Sequence, residues 1–206
     1  MKTSNLKLFT ALIISLVMLL AGCGNKSAAS QKPDGNITSF ENLQSESQIG
    51  DFNWETLGYV TLEQFNKYGT NGKFSCKATF SIPVDFMSTT EAARTSSWIT
   101  AMTINLNTLT PLKVTDWSVF KKFGLDVYTP DTLARNIYIK FNDVNGKEFI
   151  SLQPLKAGKT KLEVLIEDVK NSRIDIKNIT SLSLYLNTKN EPKDVILYID
   201  NVRLIP

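Results

Sequence analysis

The stretch NIYIKFND, residues 136–143, alternates apolar and polar side chains with a period of two. Its two isoleucines and Phe141 share one parity, whereas Tyr138, Lys140 and Asn142 share the other. Successive side chains of a β-strand point to opposite faces of a sheet, so the stretch predicts a strand with one buried face. Such a strand needs a second layer of structure to cover its apolar side.

Similar runs recur along the chain, separated by turn signals at intervals of roughly 8 to 12 residues. They predict an all-β protein built as a two-sheet antiparallel β-sandwich. We expect Asn145-Gly146 to form a type I′ hairpin turn, in preference to part of a calcium loop, and Asn71-Gly72 to turn the chain in the same way. Residues 88–94 favour one short turn of helix. The predicted strands are KFSCKATF (73–80), FGLDVY (123–128), NIYIKFND (136–143), KEFISLQPL (147–155), KLEVLIEDV (161–169), SLSLYLN (181–187) and DVILYIDNVRLI (194–205).

The chain contains no histidine among its 206 residues. Serine and cysteine hydrolase triads and the usual zinc sites need imidazole, so these designs are excluded. Carboxylate chemistry of the glycosidase type stays open, because it needs only two acids held in a cleft. The acids considered for it are Asp126, Asp143 and Glu163, and nothing in their spacing selects a pair.

The charge of the chain is nearly balanced, with 23 basic and 20 acidic residues. No cluster of lysine or arginine stands out, so nucleic acid is not an expected partner. Cys76 alternates with Phe74, Ala78 and Phe80, which predicts a buried strand position for its thiol.

The N-terminus has the layout of a secretory signal. Lys2 and Lys7 precede an apolar run over residues 9–21, which is shorter than the roughly 18 to 20 residues that a membrane-spanning helix needs. The run ends in Leu20-Ala21-Gly22-Cys23, which resembles the bacterial lipoprotein box. An ordinary secreted protein with an incidental Cys23 is the alternative.

The lipoprotein resemblance implies a signal peptide over residues 1–22 and a lipid on Cys23. Residues 23–35 are small and polar and predict a flexible linker, and residues 36–206 form the expected sandwich domain. Several acyl chains hold a protein at a bilayer, so we expect a protein anchored at the extracytoplasmic face of the cell membrane.

Several stretches in order resemble the galactose-binding-domain-like jelly rolls that serve as carbohydrate-binding modules. They are SFEN (39–42), YGTNGKFSCKATF (68–80), DWSVFKKFGLDVYTP (116–130), IYIKFNDVNGKEF (137–149), LKAGKTKLEVLI (155–166) and LYIDNVRLI (197–205). Together they cover nearly the whole predicted domain, although residues 82–114 are longer than the family pattern suggests. A ligand loop or an extra hairpin is expected there. The resemblance implies the jelly-roll fold more strongly than it implies a ligand.

The resemblance also implies a structural calcium ion between the first and last strands. The matching acids are Glu41 and Asp200, with a backbone carbonyl near Asn71. Carboxylate and carbonyl oxygens are the hard ligands that Ca²⁺ prefers. A polar strand end at Asp200-Asn201, without metal, is the alternative.

Sugar rings present apolar faces surrounded by hydroxyl groups, so their sites combine aromatic side chains with planar polar groups. Candidate aromatics are those on outward parities or in irregular segments, whereas Trp117 is expected in the packing. The candidate ligand residues are Trp54, Trp98, Tyr128, Tyr138, Lys140, Asn142 and Tyr185.

The sequence therefore predicts a non-catalytic, lipid-anchored protein that holds poly- or oligosaccharide at the cell surface. A glycoside hydrolase or a transport component is a possible partner. Two alternatives stay open: an assembly lipoprotein that docks other proteins through its sandwich, and a small carboxylate-based glycosidase or lyase.

Overall fold

The computed structural model describes residues 35–41, 54–81, 100–106, 114–188 and 193–206. Within these ranges, eleven strands form two antiparallel sheets, and there is one short helix. The strands are β1 (Asn36–Thr38), β2 (Trp54–Gly58), β3 (Val60–Phe65), β4 (Ser75–Phe80), β5 (Thr100–Asn105), β6 (Lys122–Thr129), β7 (Arg135–Asp143), β8 (Glu148–Leu155), β9 (Gly158–Leu165), β10 (Ile179–Leu186) and β11 (Val195–Ile205), and the helix is α1 (Ile166–Asn171).

The two sheets form a sandwich, as the alternation predicted. The six-stranded sheet has the order β3-β4-β11-β6-β9, with β1 paired to the end of β11. The five-stranded sheet has the order β2-β5-β10-β7-β8. The apolar parity of each long strand faces the other sheet, and these side chains form one continuous core.

Trp117 links the two sheets inside the core. Its ring stacks on Phe123 of β6 at 5.9 Å and meets Phe141 of β7 edge-on at 4.7 Å. The indole Nε1 donates to the carbonyl of Val114 at 2.8 Å, so the buried ring has no unpaired polar atom. The prediction that Trp117 serves packing is confirmed. Cys76 is also fully buried, as predicted, and burial raises the pKa of its thiol.

Predicted strand ends differ from the structure in two places. The run 161–169 was predicted as one strand, but β9 ends at Leu165 and α1 follows. Ile166 and Val169 of this helix are both buried, a spacing of three that a helix places on one face and a strand does not. The strand expected from Lys73 begins at Ser75, because Lys73 and Phe74 donate their amides to the Glu41 carboxylate.

The two Asn-Gly turns also differ from the expected type. At the β7-β8 hairpin, Gly146 has φ of 75° but Asn145 does not have a positive φ, which excludes a type I′ turn. Gly146 N donates to Asp143 O at 3.1 Å and Asp143 N donates to Lys147 O at 3.0 Å, as in a three-residue hairpin loop with a bulge. Asn71-Gly72 lies inside the longer connection over residues 66–74 and is not a tight hairpin.

Several predicted features lie outside the described residues. Cys23, the leader over 1–22, Trp98 and the short helical turn at 88–94 are among them. Within the described part of the chain, no helix is both long and apolar enough to cross a bilayer.

Candidate functional site

Four of the predicted ligand residues lie together on the outer face of the five-stranded sheet. Tyr138 of β7 is directly opposite Tyr185 of β10, and Lys140 is opposite Ser183. Asn142 follows on the same side of β7, because successive outward positions of a strand are two residues apart. This surface, centred on Tyr138, Lys140, Asn142 and Tyr185, is called the tyrosine face below.

The two tyrosine rings form a stacked pair. Their centroids are 4.6 Å apart and their planes differ by 8°. Tyr138 is partly exposed, whereas Tyr185 is only 3% exposed. The prediction that Tyr185 stands outward is right for its parity and wrong for its accessibility, because the ring of Tyr138 packs on it. Burial raises the pKa of Tyr185, and the neighbouring Tyr138 and Glu148 add to this.

Polar groups surround the tyrosine pair. Thr103 Oγ1 and Ser183 Oγ are 2.8 Å apart, and Lys140 Nζ is 2.5 Å from Glu148 Oε2. A depression of about 240 Å³ lies over this part of the sheet. The residues that line it come from four neighbouring strands: Glu55, Thr56, Ala101, Thr103, Lys140, Asn142, Ser183 and Tyr185.

Apolar side chains of the edge strand β8 extend the tyrosine face. Leu152 is directly opposite Tyr138 and Ile150 is opposite Lys140. Leu152 is 51% exposed and Ile150 is 39% exposed. Because neighbouring strands lie about 4.8 Å apart, Tyr185, Tyr138 and Leu152 form an apolar row across three strands.

Trp54 does not belong to any exposed site. It was predicted as a loop platform, but it begins β2 opposite Ile104, whose side chain faces the core. Its ring is 6% exposed and stacks on Phe40 at 6.2 Å. The register of β2 against β5 therefore turns the indole inward, and the prediction of a loop platform is wrong.

Tyr128 lies on the other sheet, away from the tyrosine face. It occupies an outward position of β6, where Tyr68 stacks on it with a centroid distance of 3.9 Å and an angle of 9°. The side chains of Phe65 and Tyr198 complete an aromatic cluster around Tyr68. A hydrogen bond with Tyr68 raises the pKa of the Tyr128 hydroxyl.

Sequence reasoning missed Phe65, Tyr68 and Tyr198. Tyr198 has the outward parity of the predicted strand 194–205, so its position could have been found from alternation. Tyr68 lies in the connection after β3 with φ of 62°, a conformation that no periodicity reveals. Phe65 and Tyr198 meet on the sheet itself at a centroid distance of 5.0 Å, and the return of the connection adds the ring of Tyr68 to them.

The acids considered for catalysis are engaged in other contacts. Asp143 is buried and accepts the backbone amides of Asn145, Lys147 and Asp175; burial raises its pKa, but these donors together outweigh burial and hold the pKa below its ordinary value. Glu163 lies between two lysines, of which Lys122 at 2.6 Å contributes most to its lowered pKa.

Asp126 accepts from Thr70 Oγ1 at 2.6 Å and from Asn201 Nδ2 at 2.9 Å. Its register partner Asp200 has a pKa raised by burial, against the effect of the amides that donate to it. Asp200 is 1% exposed, so this pair does not present two accessible carboxyl groups. The pKa of Asp200 is therefore raised because the turn buries its carboxyl group.

The residues expected around calcium converge on the turn at residues 70–74. Asp200 Oδ2 accepts the amides of Thr70 at 2.5 Å and Asn71 at 2.8 Å, and Glu41 Oε1 accepts those of Lys73 and Phe74. Among the described residues, no group of three or more acids and cysteines suits a metal ion. Asp200 Oδ1, however, is buried without a hydrogen-bond partner in the described structure, so the donor set fits a hard cation in part.

Comparisons with known proteins support the fold. No family model and no curated protein sequence matches the chain. Among solved structures, the family 11 carbohydrate-binding module of Clostridium thermocellum in complex with a β-1,3-1,4-mixed-linked tetrasaccharide matches with a TM-score of 0.54 and 12% identity, over 84% of this chain and 95% of that one. The same type of module from the cellulase Lic26A-Cel5E of that organism matches with a TM-score of 0.54, 14% identity, 85% of this chain and 96% of that chain.

An exo-β-agarase matches with a TM-score of 0.56 and 17% identity, over 84% of this chain but 25% of that one. The described chain therefore has the β-sandwich fold of carbohydrate-binding jelly rolls, as the sequence resemblance implied. At these identities, the likeness establishes the fold and leaves the ligand to be argued from the site.

Proposed function

We propose that this protein binds poly- or oligosaccharide on the tyrosine face without chemically changing it. The observation that carries the proposal is the Tyr138–Tyr185 stack: Tyr185 lines the depression together with hydroxyl, amide and charged side chains, and Tyr138 stacks on it. An aromatic surface bordered by hydrogen-bonding groups is what a sugar ring requires. The family 11 module with the same fold was solved with a β-1,3-1,4-linked tetrasaccharide, which makes β-glucan a reasonable first ligand.

The proposal is tested by calorimetric titration of the purified protein with mixed-linkage β-glucan and a panel of other polysaccharides. Tyr138→Ala should weaken binding at least tenfold, because it removes the accessible ring of the stack. Tyr59→Ala is the matched control, since Tyr59 is 39% exposed and lies between β2 and β3, outside the depression. Equal affinity of the wild type and Tyr138→Ala for every retained polymer would reject the tyrosine face as the site.

The proposal is of a non-catalytic binder. The support is that the carboxylates of Asp143 and Glu163 are already hydrogen-bonded or ion-paired within the protein and that Asp200 is buried. Release of reducing sugar should be assayed in the same titration samples, and release that survives in Tyr138→Ala but stops in Asp126→Asn would favour the carboxylate enzyme instead.

We further propose that lipid on Cys23 holds the domain at the extracytoplasmic face of the membrane. The support is the sequence Leu20-Ala21-Gly22-Cys23 after a short apolar run. Cys23→Ala should move the protein from the membrane fraction to the soluble extracytoplasmic fraction and abolish incorporation of labelled palmitate. Continued membrane retention without label would contradict the anchor. At the membrane, the bound glycan would be held near a glycoside hydrolase or a transport component.

Calcium remains part of the proposal in a stabilising role. Asp200 and Glu41 would hold the ion against the 70–74 turn, where each carboxylate has an oxygen not used by the turn amides. The ion would neutralise two acids that approach the same backbone segment. We expect calcium to raise the melting temperature of the wild type and to have no effect on Asp200→Asn. An unchanged wild-type melting temperature after chelation would reject the site.

A second function is favoured by one observation, the exposed Ile150 and Leu152 on edge strand β8. Exposed apolar side chains on an edge strand suit a protein partner as well as a sugar ring. Retention of no polysaccharide, together with loss of a cross-linked partner in Leu152→Ser, would favour an assembly lipoprotein.

A further inference from the structure

The outer face of the six-stranded sheet carries a second depression, separate from the tyrosine face. Its volume is about 260 Å³, and residues 66–74 border it on one side. It is called the cationic groove below and is lined by Tyr68, Thr70, Asp126, Val127, Tyr128, Lys159, Thr160 and Lys161. The pairing of β6 with β9 places Tyr128 opposite Lys159 and Asp126 opposite Lys161.

Positive charge is in excess along this groove. The outward positions of β6 and β9 carry Lys122, Lys159 and Lys161 against the acids Asp126 and Glu163. Glu163 is shared, with its two oxygens at 2.6 Å from Lys122 and 3.3 Å from Lys161. Asp126 is paired with Arg203 at 3.7 Å, and Asp200, the other acid bonded to Thr70, is only 1% exposed.

Lys159 is exposed and has no ion pair with any residue that the structure describes. Directly opposite residues of an antiparallel pair have Cβ atoms about 5 Å apart, so the Lys159 and Tyr128 side chains leave the sheet next to each other. The groove thus offers an aromatic ring with an uncompensated cation next to it.

The aromatic wall of the groove is held in a strained conformation. Tyr68 has φ of 62°, which is unfavourable for a bulky residue, and it persists because the ring packs on Tyr128 and Tyr198. Thr70, two residues later, is tied to Asp126 and to Asp200 by its hydroxyl. The connection is therefore fixed over the sheet at the position where the groove forms.

We propose that the cationic groove is a second binding site, for an acidic saccharide of the uronate class. A sugar ring that packs beside Tyr128 places a carboxylate that is bonded directly to a ring carbon within reach of Lys159 and Lys161. The Thr70 hydroxyl donates to the two aspartates, and its oxygen can still accept a hydrogen bond from a ring hydroxyl. The excess positive charge of the face selects this anion over a neutral sugar. The site goes beyond the proposed function and does not depend on the tyrosine face.

The test is calorimetric titration of the purified protein with trigalacturonate at low salt. We expect binding that weakens at least tenfold in the double variant Lys159→Ala/Lys161→Ala and weakens again as salt is raised. Lys159→Arg/Lys161→Arg should keep most of the affinity, and a urea midpoint of the alanine variant equal to that of the wild type excludes misfolding as the cause of its loss. Lys170→Ala, at an exposed position of α1, is the matched control and should bind as the wild type does.

Tyr138→Ala should leave trigalacturonate binding unchanged while it weakens neutral β-glucan, which separates this site from the tyrosine face. The proposal is overturned if trigalacturonate does not bind, or if Lys170→Ala weakens it as much as the double variant does. It is also overturned if Tyr138→Ala abolishes trigalacturonate binding, or if a sulfated galactan oligosaccharide binds more tightly than the uronate.

Discussion

The two outer faces of the sandwich carry similar residue types but are built differently. On the tyrosine face, Tyr138, Lys140 and Asn142 come from one strand and Tyr185 from its neighbour, so regular strand pairing alone assembles them. On the face with the cationic groove, Tyr68 reaches Tyr128 from a connection outside the sheet. Alternation within strands therefore locates the first kind of site, whereas the second depends on how a loop returns over the sheet.

The largest effect should come from the core that both faces share. Trp117→Ala removes a fully buried indole that contacts both sheets, and the free energy of unfolding should fall by about 3–5 kcal/mol. Urea denaturation measures the change, and titrations near the new midpoint should show both faces weakened together. Loss of binding at one face alone, with the other intact, would contradict a common core.

A smaller effect, confined to one face, is expected from Asp200→Ala. The substitution leaves the amides of Thr70 and Asn71 without their acceptor and should reduce the free energy of unfolding by about 2 kcal/mol. Asp200→Asn keeps an acceptor oxygen and is the control, measured by urea denaturation without calcium. Binding at the tyrosine face should not change in either variant. A weakened tyrosine face would show that the two faces are coupled.

The hairpin beside the tyrosine face should lose stability when the solution is acidified. Because the pKa of Asp143 in the folded protein is lowered, its contribution to stability is present above about pH 3.8, the ordinary value, and is lost as the pH falls through the lowered value. The stability difference between wild type and Asp143→Asn should therefore shrink on acidification. Urea midpoints measured from pH 7 to pH 2 provide the check, and a constant difference would refute it.

The smallest effect is expected at the rim of the tyrosine face. Glu148→Gln breaks the ion pair with Lys140, which is partly exposed, so the free energy of unfolding should change by less than about 1 kcal/mol. The same variant tests whether Glu148 holds Lys140 in place for the ligand. If it does, the free energy of glucan binding should change more than the free energy of unfolding. Equal urea midpoints with unaltered affinity would leave the pair without a role in binding.

Much of the fold was predictable because period-two alternation reports burial directly. Strands β6, β7, β8, β10 and β11 lie within one or two residues of the predicted runs. The start of α1 was missed, since Ile166 continues the apolar parity of β9 before the chain turns into a helix. Strands β2, β3 and β5 were missed because they lie next to the segments where turn signals and alternation were weakest.

The candidate site was predictable only in part, for the same physical reason. Parity places Tyr138, Lys140 and Asn142 on one side of a strand, but it does not show that the ring of Tyr138 covers that of Tyr185. Trp54 was misplaced because its direction depends on the register of β2 against β5, which one strand's sequence does not contain.

The sequence by itself determined that this chain forms an all-β sandwich with outward tyrosines, since alternation and turn residues are local properties of the chain. It also determined that no imidazole chemistry is present. The tertiary structure alone decided that Tyr138 and Tyr185 stack, that Trp54 is buried, and that Tyr68 and Tyr128 meet beside Lys159. Those relations join residues far apart in the chain, and their distances depend on strand register and loop return, which follow from packing the whole domain.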